Sequence, residues 1–178
     1  MLTAVYGDCR VNHQFPWPAD SDAYLKTPVG NLLKRIRGAL GDFRGQRDFI
    51  KSARLPPCDF FISDPLFILE FDESQHFTFA RLTTLDQYPA NSALGFPLSR
   101  WRELCREIGA KDDQPIDRDE RRAWYDVLRD LVPIIHGFKP TVRLYAEEYA
   151  WCSLDANSAR DVATIQELLR QRLPMKTS

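Results

Sequence analysis

The sequence of 178 residues predicts an α/β fold in which a mixed central sheet is flanked by helices, with an extra helix at the C-terminal end. Three observations point there. Residues 57–72 read as two short apolar strands joined by a turn. Several segments carry apolar residues at helical spacing. Residues 140–146 alternate as a further strand, separated from the first two by helices. No repeat, low-complexity tract or long linker divides the chain, so residues 1–178 read as one domain.

Taken in order, residues 1–25 mix aromatics and prolines (Phe15-Pro16-Trp17-Pro18) and are expected to form an irregular arm. Thr27 as N-cap and Pro28 at the first helical position open a helix. Its stripe is Val29, Leu32, Leu33, Ile36, Leu40 and Phe43, with Gly41 near its end. Residues 46–54 read as a first strand, and the hairpin follows at about 57–72. Phe79–Tyr88 is a basic-polar turn or helix. Leu98, Trp101, Leu104, Cys105 and Ile108 mark the next helix, ended by Gly109. After a polar loop over 111–119, Trp124, Val127, Leu128 and Leu131 mark another helix, stopped by Pro133. Asn157-Ser158 with Asp161 resembles a capping box for a last helix through Leu173.

The hairpin is the most informative stretch because carboxylates stand inside apolar strands. A buried carboxylate loses its hydration and is costly unless its charge is compensated, and a divalent cation would compensate several together. Asp64-Pro65 is turn chemistry. With an even-length loop centred there, Phe61 faces Ile68 and Asp59 faces Glu70, at Cβ separations of roughly 4.5–5.5 Å. Alternation then puts Asp59, Phe61, Ile68, Glu70 and Asp72 on one face. Cys58, Phe60, Ile62, Phe67, Leu69 and Phe71 fall on the other. An odd loop shifts the register and breaks this alignment. The alternative for Glu70 and Asp72 is that of edge-strand charges in water.

The formal net charge of −1 excludes a global basic field. Charge is nevertheless uneven. Lys26–Arg54 is basic, and Asp112–Asp130 is acid-rich, interleaved with Arg118, Arg121, Arg122 and Arg129. A local basic surface can bind phosphates on a near-neutral molecule. Cys9, Cys58, Cys105 and Cys152 show neither zinc-site nor disulfide spacing, and Cys58 and Cys105 are expected to pack as small hydrophobes. No signal-peptide pattern opens the chain and no apolar run approaches the ~20 residues that span a bilayer. A soluble cytoplasmic protein without a membrane partner is the expectation.

Asp59-Phe60-Phe61 with Leu69-Glu70-Phe71-Asp72-Glu73-Ser74-Gln75-His76, behind a helix, resembles the PD-(D/E)XK, or restriction-endonuclease-like, nuclease fold. It is most similar to the branch typified by the very-short-patch-repair endonuclease. The specific match covers about residues 57–76, and the looser one 28–146. The resemblance implies Mg²⁺- or Mn²⁺-dependent hydrolysis of DNA phosphodiesters in repair, restriction or defence. It makes Asp59 and Glu70 metal ligands, with the Phe71 carbonyl as a third, and gives Asp72 a place on the same or a second ion or on the attacking water. It makes His76 a general base or leaving-group acid, and Gln75 a weaker candidate for orienting water. Phosphate contacts are expected from Arg81, from Lys51, and from Lys34, Arg35 and Arg37 on the first helix. Asp72 occupies the usual lysine position and Glu73 the usual glycine; Lys51, Arg81 or Lys111 could supply the missing charge. Such nucleases often dimerise, so a homodimer is an option. His13, His136, Trp101, Trp124, Tyr125 and Trp151 read as structural. The alternatives are a lapsed nuclease fold that binds nucleic acid or serves in assembly, and an interaction protein using its acidic 112–130 segment.

Overall fold

The computed structural model describes residues 1–173. Six α-helices and four strands occur among them. They are α1 (Leu2–Tyr6), β1 (Cys9–His13), α2 (Gly30–Phe43), β2 (Cys58–Ile62), β3 (Phe67–Asp72), α3 (Phe79–Leu85), α4 (Leu98–Ile108), α5 (Arg118–Ile135), β4 (Val142–Tyr145) and α6 (Ala159–Arg172). The strands form one mixed sheet in the order β1-β2-β3-β4, antiparallel up to β3 and parallel between β3 and β4. The fold is therefore α/β.

The expected hairpin register holds: Phe61 pairs with Ile68, with Phe60 on Leu69 and Ile62 on Phe67. Ser63–Leu66 form the even-length loop. Alternation divides the core in two. Phe61, Ile68 and Tyr145 face α2, α3, α4 and α5, where Leu33, Ile36, Trp101, Leu104, Trp124 and Leu128 are buried. Ile62, Phe67, Leu69, Val142 and Leu144 face the other way, covered by Ile165 and Leu169 of α6 with Leu2 and Val5 of α1 alongside. Cys58 departs from the pattern and packs with Phe61. Its partner in β1 is His13, and Asn12, just before, turns left-handed at φ 52°. That turn ends regular alternation at this end of the sheet.

Several expectations are corrected. The N-terminal arm is ordered structure, because β1 pairs along the free side of β2. Behind it, Phe15 stacks on Trp17 at 4.2 Å and Trp17 on His136 at 4.9 Å, so aromatic packing replaces periodicity as the organising force. Residues 46–54 form no strand; Phe49 anchors an irregular segment in the core. Thr27 does not cap α2, since its hydroxyl donates backward to the Tyr24 carbonyl at 2.7 Å. Pro133 does not stop α5, which runs to Ile135. The missing Pro N–H would orphan the Arg129 carbonyl; the Thr141 hydroxyl donates to it at 2.5 Å instead. Ser158 does cap α6, accepting from Asp161 N–H at 3.3 Å.

Gly95 lies against the outer side of β4, bridging Val142. A Cβ there would meet the Thr141 carbonyl oxygen at 2.5 Å, closer than real contacts allow. Gly95→Ala is expected to lower stability by about 1–3 kcal/mol, read as a drop in Tm, because β4 must shift to make room.

Candidate functional site

A cleft of about 670 Å³ opens where β2 begins and β3 ends, with α5 as its opposite wall. Asp59 and Glu70 both line it. Each is held by the other strand: Asp59 N–H donates to Glu70 Oε1 at 3.4 Å, and Phe71 N–H donates to Asp59 Oδ2 at 2.8 Å. The carboxylate of Asp59 thus takes a backbone donor that a regular ladder would use itself. Among the described residues, Glu70 Oε2 and Asp59 Oδ1 accept no hydrogen bond.

Glu70 is only 4% exposed. Burial raises its pKa to about 7, Arg129 and Arg143 oppose the rise, and the neighbouring charge of Asp59 adds to it. The sign for stability follows from linkage. The unfolded chain ionises Glu70 at its ordinary value, whereas the folded chain holds the proton until about pH 7. Stability is full below the ordinary value and is lost as pH rises to about 7, by about 3 kcal/mol. Glu70→Gln is therefore expected to flatten this part of the stability profile and to raise Tm above wild type at alkaline pH. Thermal unfolding of both proteins across the window measures the difference.

His76 also borders the cleft. Its Nδ1 lies 3.1 Å from Asp126 Oδ2, and its Nε2 has no hydrogen-bond partner among the described residues. Burial alone would lower its pKa; the carboxylates of Asp126 and Asp72 outweigh burial and raise it. Gln75 lies on the rim, its amide donating to Glu73 at 2.7 Å.

Asp72 does not join the pair, which corrects its expected place on the ion. It is 1% exposed and both of its oxygens are taken, by Arg143 Nη1 at 2.6 Å and by Trp101 Nε1 at 2.7 Å. Arg143 is the centre of a buried network. In β4 it sits beside Glu70, and its guanidinium donates to Asp72, to Asp126 and, through Nε at 2.7 Å, to Asp130. These three carboxylates hold its pKa well above the usual range despite burial, and Arg143 with His76 holds Asp126 well below its own. Asp130 also accepts from Arg81 and from the Tyr88 hydroxyl, each at 2.7 Å. Arg81, expected on a phosphate, is therefore an interior counter-ion, 1% exposed.

The other expected phosphate contacts lie away from the cleft. Lys34 and Arg35 are exposed on α2, where Arg35 donates to the Gln87 carbonyl. Arg37 pairs with Asp20 and Lys51 with Asp48, each at 2.9 Å. Lys111 pairs with Asp113. None of these lines the cleft. The cations that do are Arg118, Arg121, Arg122 and Arg129 of α5. Arg129 Nε lies 3.3 Å from Glu70 Oε1, but the N–H is not aimed at that oxygen and has no hydrogen-bond partner among the described residues. Sequence reasoning noticed these arginines only as interruptions of an acidic run. The missed signal is their spacing at three- and four-residue intervals, which puts them on one side of a helix.

The donor set fits a hard divalent ion in kind: two carboxylates in one cleft, each with an oxygen free of protein donors among the described residues. No group of three or more His, Cys, Asp or Glu side chains among the described residues is arranged to hold a metal. No helix among the described residues is long and apolar enough to cross a membrane. No family model, no curated protein and no solved structure matches the chain.

Proposed function

We propose that the cleft is the active centre of a metal-dependent phosphodiester hydrolase acting on DNA, built on a restriction-endonuclease-like core. One observation carries the reading. Asp59 and Glu70, the latter with its pKa raised to about 7, share a cleft whose facing helix carries four arginines. Perturbed acids in clefts mark functional sites, and guanidinium forks recognise phosphate.

Asp59 and Glu70 would hold Mg²⁺ or Mn²⁺, with waters and substrate oxygens completing the shell. Such an ion polarises a phosphoryl oxygen and makes bound water acidic. Arg129 stands beside Glu70 and supplies the positive charge that the family pattern assigns to lysine. His76, oriented by Asp126, has its proton favoured by the surrounding carboxylates and can give it to the leaving oxygen from Nε2.

The test is twofold. Supercoiled and single-stranded DNA are incubated with Mg²⁺, Mn²⁺ or EDTA, and thermal unfolding is followed with and without metal. Cleavage with either metal, together with a metal-induced rise in Tm that Glu70→Ala removes, supports the proposal. The absence of both cleavage and a metal response overturns it.

A second reading is favoured by the state of Asp72. The residue at the lysine position is sealed in an ion pair with Arg143, and no lysine lines the cleft among the described residues. A fold that has lost catalysis would bind nucleic acid, and would respond to metal without cutting.

A further inference from the structure

Arg118, Arg122, Tyr125 and Arg129 follow one another at steps of four, three and four residues and, with Arg121 beside them, form a single stripe on α5 facing the cleft. At about 1.5 Å per residue the stripe runs ~16 Å. Arg118 and Arg122 are held by Asp112 at 3.1 and 3.0 Å, and Arg121 by Asp117 at 3.7 Å. The two Asp112 pairs are partly exposed and weak, so Arg118 and Arg122 can exchange that acid for phosphates, and the 3.7 Å separation from buried Asp117 is too long for Arg121 to make a hydrogen bond there. Arg129 adds a buried N–H with no hydrogen-bond partner among the described residues. Three of the four arginines lie in the first two turns of α5, where the helix dipole already favours an anion.

The stripe is interrupted by one aromatic ring, that of half-buried Tyr125; Phe60 and Phe71 border the cleft, but their side chains pack on the opposite face of the sheet. Guanidiniums alone would suit any phosphate backbone. Aromatic faces among them suit a base only when it is out of its stack, because a duplex hides the faces of its bases. Basic residues elsewhere do not extend the cleft to hold a second strand, since Lys34, Arg35, Arg37 and Lys51 do not line it.

Resting on the reading of the cleft as a nucleic-acid site, we infer that its substrate is an unpaired strand. Phosphates lie along Arg118, Arg121 and Arg122, and a base packs against Tyr125.

The test is fluorescence anisotropy in EDTA, using a short labelled single strand, the matching blunt duplex and a duplex with an unpaired tail. The single strand and the tailed duplex are expected to bind at least roughly tenfold more tightly than the blunt duplex. Tyr125→Ala should weaken single-strand binding about tenfold, while Tyr125→Phe, which keeps the ring, binds as wild type. Arg121→Ala should lower the salt dependence by about 0.7 in logarithmic slope. Equal or tighter binding of the blunt duplex overturns the inference, as does equal weakening by both Tyr125 variants. Because EDTA suppresses metal-dependent cutting, the two readings fail separately. Single-strand binding by a protein that never cleaves sinks only the hydrolase, whereas cleavage without strand preference sinks only this inference.

Discussion

Arg143→Met is expected to leave the protein unfolded, or barely folded, at room temperature. The guanidinium is fully buried and contacts Asp72, Asp126 and Asp130 at 2.6 to 3.3 Å. Removing it leaves buried Asp72 with Trp101 Nε1 as its hydrogen-bond donor, and takes one of the cations from Asp126 and from Asp130, which keep His76 and Arg81. Breaking one buried pair costs about 3–5 kcal/mol, and folded domains have only about 5–15 kcal/mol in all. Arg143→Lys keeps the charge but loses the planar fork that reaches several acceptors at once, so an intermediate loss is expected. Circular dichroism against temperature ranks wild type, lysine and methionine variants in that order. A methionine variant as stable as wild type would mean the network contributes nothing to the fold.

Under the proposed hydrolase reading, Asp59→Asn and Glu70→Gln are each expected to lower metal-dependent cleavage by about a thousandfold or more, equivalent to about 4 kcal/mol of barrier. Both substitutions keep the shape and remove the charge that would grip the ion. The hydrogen bond that Phe71 N–H now gives to Asp59 Oδ2 can persist to the amide oxygen of the asparagine variant, so the strand pairing should survive. Circular dichroism confirms folding, and cleavage rates under saturating Mn²⁺ measure the loss. Activity that persists in both variants would remove these two acids from the chemistry. Asp72→Asn, in contrast, should cost stability before activity, since Asp72 faces Arg143 and Trp101 rather than the cleft.

The hairpin was legible in the sequence because two strong local signals agree there, the Asp64-Pro65 turn and strict alternation on either side of it. Helix α4 was legible for the same reason, with a clear apolar stripe and Gly109 in the left-handed conformation at its end. Strand β1 was not. Cys-Arg-Val-Asn-His carries little strand preference of its own, and pairing with β2 imposes the conformation. The cleft was half legible. Asp59 and Glu70 could be named from spacing and His76 from the resemblance, whereas the arginines of α5 needed the three-dimensional path that brings that helix across from β3. What compensates the interior acids was misread in kind for Asp72, where an arginine serves in place of an ion. A clue existed in Asp126 and Asp130, like charges four residues apart on a helix, which repel unless a cation stands between them.

Because Arg143 is clasped by three acids drawn from β3 and α5, these four positions cannot drift independently. Losing the base alone, or any acid alone, leaves an unmatched interior charge, while replacing the whole set, together with the Arg81 that Asp130 also holds, by apolar side chains of similar volume can be neutral. Descendants of this chain should therefore either keep the quartet intact or exchange it wholesale, and its members should covary as a block through evolution.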